Sequence, residues 1–302
     1  MEKYELSISR LKIMDLASYP YEEVKKEISG FGPFGIINMT LHKGKSLIRA
    51  RPNDLNGEPF STRSSLSYTP PEFNKRYQRA STPNQTMFYA GTIPENIQQG
   101  ELDNARIIAT MEASHLLRNV GHEGEQKITY SRWIVTDDIP LVAICYANDL
   151  THHSSHTKEL YENYHASIGS LNDEPLKKRS LAITEFLAQE FAKKDVDPDY
   201  KYMISAIYSE MAVSKGMAGM YFPSVRADYK GFNVAISPAY ADRCLKLVAA
   251  GECTIYKYGE NTMVDNETVC LITDEQKPFV MEPVPADMHI GKEKIMEELK
   301  KR

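Results

Sequence analysis

Strand-like segments come in runs along this chain, and helix-like segments do not separate them one for one. A doubly wound sheet needs a helix between each pair of parallel strands. The observed order therefore points to an α+β fold. The first forty residues read as an appendage, with one short helix in YPYEEVKKEISG that opens near Pro20 and closes at Gly30. A strand is expected at 46–51, a long Pro-, Ser- and Asn-rich ordered loop at 52–81, and a strand at 86–91. Residues 102–119 have helical periodicity. Strands at 127–136 and 140–147 flank a tight connection and are expected to form a hairpin. The polar, His-rich stretch 148–178 includes some helix. The segment 175–194 reads as an amphipathic helix with Pro175 near its start and Leu181, Phe186, Leu187 and Phe191 as its stripe. A helix at 200–214, strands at 219–225 and 232–237, three short β segments (LKLV, CTIYKY, TVCLI) and a charged helix from Lys292 complete the pattern.

Composition narrows the class further. Apolar residues at 42% and charged residues at 25% are globular values, which excludes a disordered, collagenous or coiled-coil chain. The 302 residues allow one large domain or two ordinary ones. With Lys+Arg 36 against Asp+Glu 41, the net charge of −5 carries no footprint for direct nucleic-acid binding. The longest apolar run, 139–147, is too short to span a bilayer. Cys145, Cys244, Cys253 and Cys270 form no C-x-x-C pair, and three of them sit in strand-like apolar stretches, so reduced buried thiols are expected. Sequons begin at Asn38, Asn84 and Asn266, but MEKYELSISRLKIMDL contains no apolar leader core. The expectation is a cytoplasmic protein without a membrane segment.

Three motifs mislead. GFGPFG at 30–35 matches G-x-G-x-x-G, but a helix precedes it and a strand follows, the reverse of a dinucleotide-binding turn, and Pro33 removes a donor. Gly44-Lys45-Ser46 ends like a P-loop, yet Met39 stands at the first glycine position and a strand follows. His152 and His156 are four apart, but HHSSH lacks the glutamate of a zincin, so no metal is expected; a zinc hydrolase built on this cluster is the reading set aside.

One constellation carries chemistry. In the 102–119 helix, Ala105, Ile108, Ala109 and Leu116 share a stripe, with Glu112 in its middle. A carboxylate there is costly unless partnered or protonated, and either a structural salt bridge or a functional site would supply the reason. Arg49, Arg51 and Arg79 lie near one another in sequence, and Tyr89 follows Arg79 by ten residues on a strand. An arginine fork suits phosphate and a strand-borne tyrosine offers a stacking face. Phosphate grip, stacking face and carboxylate together are what cleavage of a nucleotide's N-glycosidic bond needs.

These residues lie in blocks that resemble the RES-domain proteins, typically toxins of Xre–RES toxin–antitoxin pairs. The blocks are LIRARP, Tyr68-Thr69-Pro70-Pro71, QRAS…MFYAG, ARIIATMEASHLL, the expected hairpin at 127–147, EFLAQEFAK, YKYMISAIYSE, MYFPSVRADYKGFNVAI and LKL, covering about 49–247. The resemblance implies a RES domain at 46–258, between an N-terminal extension at 1–45 and a C-terminal β/helical extension at 259–302 packed on the same domain. It implies an ADP-ribosyltransferase-like mixed, split sheet with flanking helices. The implied activity is NAD⁺ degradation with release of nicotinamide, by water or by phosphate, with NAD⁺ as substrate and no cofactor. An Xre-type antitoxin would be the protein partner. Matched position by position, Arg79 and Arg49 would hold pyrophosphate and Tyr89 would position nicotinamide. Glu112 would stabilise charge on the ribose, and Ser224 and Asn233 would bond to ribose or amide. Two departures stand out. Gln78-Arg79-Ala80-Ser81 replaces the family's Gly-Arg-x-Asn, and Glu112 follows Tyr89 by 23 residues, which implies an insertion at 92–104 and leaves Glu101 as a rival. The alternatives are an ADP-ribosyltransferase acting on a macromolecule and a catalytically inactive nucleotide-binding protein.

Overall fold

The structure is a computed structural model that describes residues 2–53, 57–118, 121–144, 154–194 and 197–301. Among these residues, ten strands join into one mixed sheet of two unequal characters. One half runs β1 (Ile37–Leu41), β5 (Ile139–Ala143), β6 (Gly219–Pro223), β7 (Phe232–Ile236) and β3 (Phe88–Thr92). The other runs β2 (Ser46–Pro52), β4 (Gly124–Val135), β8 (Leu245–Tyr258), β9 (Asn261–Leu271) and β10 (Glu282–Pro283). Every pairing is antiparallel except β5 with β6. Between the halves the β2–β3 ladder has a single residue pair, Ile48 with Gly91.

The inner strands β5, β6 and β7 of the first half are buried on nearly every successive residue, so both their faces are covered, whereas the edge strand β1 alternates with Asn38 and Thr40 exposed. On β5 and β6, Leu141, Ala143 and Tyr221 belong to one apolar cluster, whereas Val142, Met220 and Phe222 belong to another. Helix α6 (Ser155–Gly169) covers the first face with Leu160, Tyr164 and Ile168. The second face is covered by α1 (Lys3–Ile13), α2 (Tyr21–Ser29), α7 (Glu174–Phe191) and α8 (Met203–Ser214). Phe186, Leu187 and Phe191 of the expected α7 stripe are buried there, and Asp173 caps that helix by accepting from Leu176 N–H at 2.9 Å.

The first forty residues, read as an appendage, are instead part of the fold: they supply α1, α2 and most of the edge strand β1, and bury Tyr4, Leu11, Val24 and Ile28 in the second cluster. At the other end, α10 (Lys292–Lys301) packs Ile295 and Leu299 onto Tyr256 of β8. The described part of the loop 52–81 holds the short helix α3 (Arg63–Leu66) and a 3₁₀ turn at Pro71–Phe73, and is pinned by Arg51, which donates to the Ser65 carbonyl. Helix α9 (Pro238–Cys244) leads into β8, one strand of 14 residues that takes in two of the three short β segments.

Two expectations are corrected. The segments 127–136 and 140–147 do not form a hairpin. Both edges of β4 are occupied, by β2 and β8, and the chain leaves it with Thr136 N–H donating to the Cys244 carbonyl. Strand β5, apolar on both faces, needs cover on both and sits between β1 and β6. The 102–119 helix is broken. Helix α4 (Ala105–Ala113) ends at Ser114, whose backbone is extended (φ −76°, ψ 117°), and α5 (His115–Arg118) follows. Ser114 donates to Gln126 Oε1 at 2.6 Å and accepts Leu117 N–H at 3.1 Å, which satisfies the groups that the break exposes. No helix among the described residues is long and apolar enough to cross a membrane.

Candidate active site

Helix α4 lies over the seam between the two half-sheets, and glycine lets it come close. A Cβ on Gly91 would stand 3.0 Å from the Ala105 carbonyl oxygen and 3.1 Å from Ala109 N. Ile108 and Ala109 are buried against the seam, and Glu112, one turn on, looks across it. A cleft of about 440 Å³ opens beside it, lined by Arg49, Arg79, Tyr89, Glu112 and Asn233 among others. Of the described residues lining it, Glu112 alone is acidic.

The carboxylate is held from two strands. Ser224, just after β6, donates its hydroxyl to Glu112 Oε1 at 2.6 Å, and Asn233 Nδ2 on β7 donates to the same oxygen at 2.8 Å. Ser224 Oγ also accepts Ala227 N–H at 3.2 Å, so its single proton is committed to Glu112. Arg226 Nε stands 3.8 Å from the other oxygen, Oε2. The side chain of Glu112 is 27% exposed, enough to be reached from the cleft. The resemblance assigns Ser224 and Asn233 to ribose or amide; in the structure they hold the carboxylate.

The other matched residues converge from three elements. Tyr89 of β3 accepts Ala80 N–H at 3.0 Å through its hydroxyl and lies 2.7 Å from Ser81 Oγ, so its ring pins the 78–81 turn. Burial pushes its phenol above the usual range and keeps it neutral. Arg79, in that turn, donates to the carbonyls of Phe191 and Lys193, the latter at 3.2 Å, and lies over the Tyr202 ring at 5.0 Å. It thereby satisfies the end of α7 as well as lining the cleft. Arg49 of β2 donates from Nη1 to the Tyr89 carbonyl at 2.8 Å, while its buried Nε has no acceptor among the described residues. Burial, then Arg51, pushes its guanidinium down to about 10, so it stays charged at neutral pH.

Two cations next to Glu112 were not singled out in the sequence, Arg118 and Arg226. Arg118 lines the cleft, donates to the Glu112 and Ala113 carbonyls at 2.7 and 3.2 Å, and has a buried Nε without an acceptor among the described residues. An unbroken helix would carry it six residues past Glu112, on a different face; the turn at Ser114 brings it back. A second hollow, of about 260 Å³, shares Arg79 and Arg118 with the cleft and adds Lys194, Arg226 and Asp228. His115 also lines the cleft; burial, Arg118 and Arg226 hold its imidazole below the usual range.

The rival Glu101 sits elsewhere. It accepts Ser155 N–H and, at 2.9 Å, Ser155 Oγ, and so caps the start of α6. His156 packs edge-on to Phe232 with ring centroids 4.9 Å apart and pairs with Glu159 at 3.4 Å. His152 and Cys145 lie outside the described residues. Among the described residues, no group of three or more His, Cys, Asp or Glu side chains is placed to hold a metal ion.

The arrangement suits stabilisation of a cation that forms during a reaction. One carboxylate, oriented by two donors before any ligand enters, faces a cleft lined by four arginines, of which Arg49 and Arg118 each keep a buried Nε–H without an acceptor among the described residues. No model of a known protein family matches this chain, and no curated protein matches it.

Proposed function

We propose that this chain cleaves the nicotinamide–ribose bond of NAD⁺, as a glycohydrolase or phosphorylase of the RES-domain type, on an ADP-ribosyltransferase-like split sheet. The observation that carries the reading is Glu112 Oε1 receiving Ser224 at 2.6 Å and Asn233 at 2.8 Å above a cleft walled by arginines. A dinucleotide has the charges to match. Its pyrophosphate would satisfy the buried Nε groups of Arg49 and Arg118, each costly to leave without an acceptor. Arg79 holds the cleft wall to α7, and Tyr89 offers its ring to the nicotinamide.

In this reading the bond from nicotinamide nitrogen to ribose C1′ breaks, and its electron pair leaves with the neutral ring. The positive charge left on the ribose falls opposite the Glu112 carboxylate. Because Ser224 and Asn233 already orient that anion, no reorganisation is needed as charge develops. Water or phosphate then bonds to C1′, and in hydrolysis the water proton passes to solvent. A cytoplasmic toxin paired with an Xre-type antitoxin is the biological setting this activity implies.

The deciding experiment is incubation of the purified chain with NAD⁺, with and without phosphate, followed by identification of the products. Free nicotinamide with ADP-ribose, or with ADP-ribose phosphorylated at the anomeric carbon, is expected. Intact NAD⁺ would overturn the proposal, and ADP-ribose on a macromolecule would replace it with a transferase.

A further inference from the structure

A larger cavity, of about 580 Å³, lies on the other side of α4, against the β8–β9 hairpin. Its walls are mostly apolar: Ile107, Met111 and Leu117 from the helical side, Ile255 and Val264 from the hairpin. Ile107 is 46% exposed and Val264 40%, so the two walls present apolar surface that nothing in the described chain covers. The size falls within the roughly 300–1,000 Å³ of small-molecule sites.

The charged side chains among the described lining residues are two cations, Arg106 and Lys257, and one carboxylate, Glu260; the other polar ones are neutral. The Arg106 guanidinium lies 4.4 Å from the Tyr130 ring centroid and donates to Asn266 Oδ1 at 3.0 Å. Tyr130 shares a hydrogen bond with Thr110, and burial holds its phenol above the usual range, hence neutral. Lys257, 5% exposed, donates to the Leu116 carbonyl at 3.2 Å. Glu260, the one carboxylate among the described lining residues, is on the exposed hairpin turn.

We propose that this cavity is a binding site for an apolar small molecule bearing a single anionic head, the head meeting Arg106 and the body lying between Ile107 and Val264. Such a ligand complements the walls in both charge and polarity. A cationic ligand would be set against Arg106 and Lys257, and a strongly polar one would leave the apolar walls unsatisfied. The site does not depend on the NAD⁺ reading. Helix α4 is the wall common to both cavities: Glu112 faces one and Arg106 the other.

The probe is 8-anilinonaphthalene-1-sulfonate, an apolar body with one sulfonate, followed by its fluorescence. Saturable binding of one probe per chain is expected. Arg106→Gln should weaken it about tenfold or more, and Val264→Trp, which fills the cavity from an exposed position, should abolish it. N-phenyl-1-naphthylamine, the same body without the sulfonate, should bind the wild type more weakly and be indifferent to Arg106→Gln. Thermal melting of each variant checks folding, and Ile107→Trp on the opposite wall replaces Val264→Trp should the latter not melt cooperatively. Absence of saturable binding, or binding that survives the tryptophan, overturns the proposal. So does loss of the probe with Arg49→Met but not with Arg106→Gln, because that would place the probe in the other cleft.

Discussion

Glu112 holds its two oxygens in different environments: Oε1 takes both neutral donors, and Oε2 faces Arg226. Glu112→Gln keeps an oxygen for Ser224 and Asn233 and removes the charge. Turnover of NAD⁺ should fall by about 10²-fold, equivalent to ~2.7 kcal/mol of transition-state stabilisation, with little change in NAD⁺ affinity. Calorimetric binding and steady-state kinetics on one preparation test this. A lower melting temperature with normal turnover would make the carboxylate structural. Tyr89 gives a contrasting case. Tyr89→Phe leaves the ring in the cleft but strips Ala80 N–H of its acceptor, at a cost of about 1–3 kcal/mol in urea unfolding. Unchanged stability would mean that the 78–81 turn holds itself. Arg118 shows what residue-level reading misses: nothing local marks it, because its nearness to Glu112 depends on a break in the helix.

At the scale of elements, the seam between β2 and β3 controls the site. Only Ile48 and Gly91 pair across it, and α4 rests on Gly91. In Gly91→Ala the added methyl would meet backbone atoms of α4 at 3.0–3.1 Å, so the helix must shift and carry Glu112 with it. Stability should fall by about 1–3 kcal/mol, and NAD⁺ turnover should fall too. Gly169→Ala, where nothing lies within 4 Å, is the comparison that should spare turnover. Turnover that survives Gly91→Ala would detach the site from the seam. The broken helix makes a related expectation. Ser114→Ala removes the acceptor for Leu117 N–H and a donor to Gln126, and should cost about 1 kcal/mol by chemical denaturation. A helix that tolerates the change would show that Ser114 does not hold the break.

For the molecule as a whole, pH reads out burial. Burial holds the His156 imidazole below its usual range, with Lys45 acting the same way and Glu159 and Glu101 opposing. The folded protein therefore prefers the neutral ring. The unfolded chain takes a proton as pH drops through about 6.5, so this contribution is complete above that pH and is lost as pH falls toward the folded value. The urea midpoint should drop between pH 7.5 and 5.5, and less so in His156→Phe; equal drops would remove His156 as a cause. The sequence alone determined the elements whose signal is local. The capped amphipathic α7, the apolar strands β6 and β7, and the terminal α10 each follow from a period of apolar side chains over adjacent residues. The matched residues Glu112, Ser224 and Asn233 were legible one by one, but not the bonds among them, which join positions 112 and 121 apart in sequence. The tertiary structure alone decided strand partners and helix breaks. Strand β5 left β4 because both its faces needed cover and both edges of β4 were occupied, and α4 stopped at Ser114 where Gln126 of β4 met it. Local periodicity says which face of a segment is apolar. Which distant segment covers that face, and which donor reaches a buried acceptor, is settled only when the whole chain satisfies its apolar surface and its hydrogen bonds together.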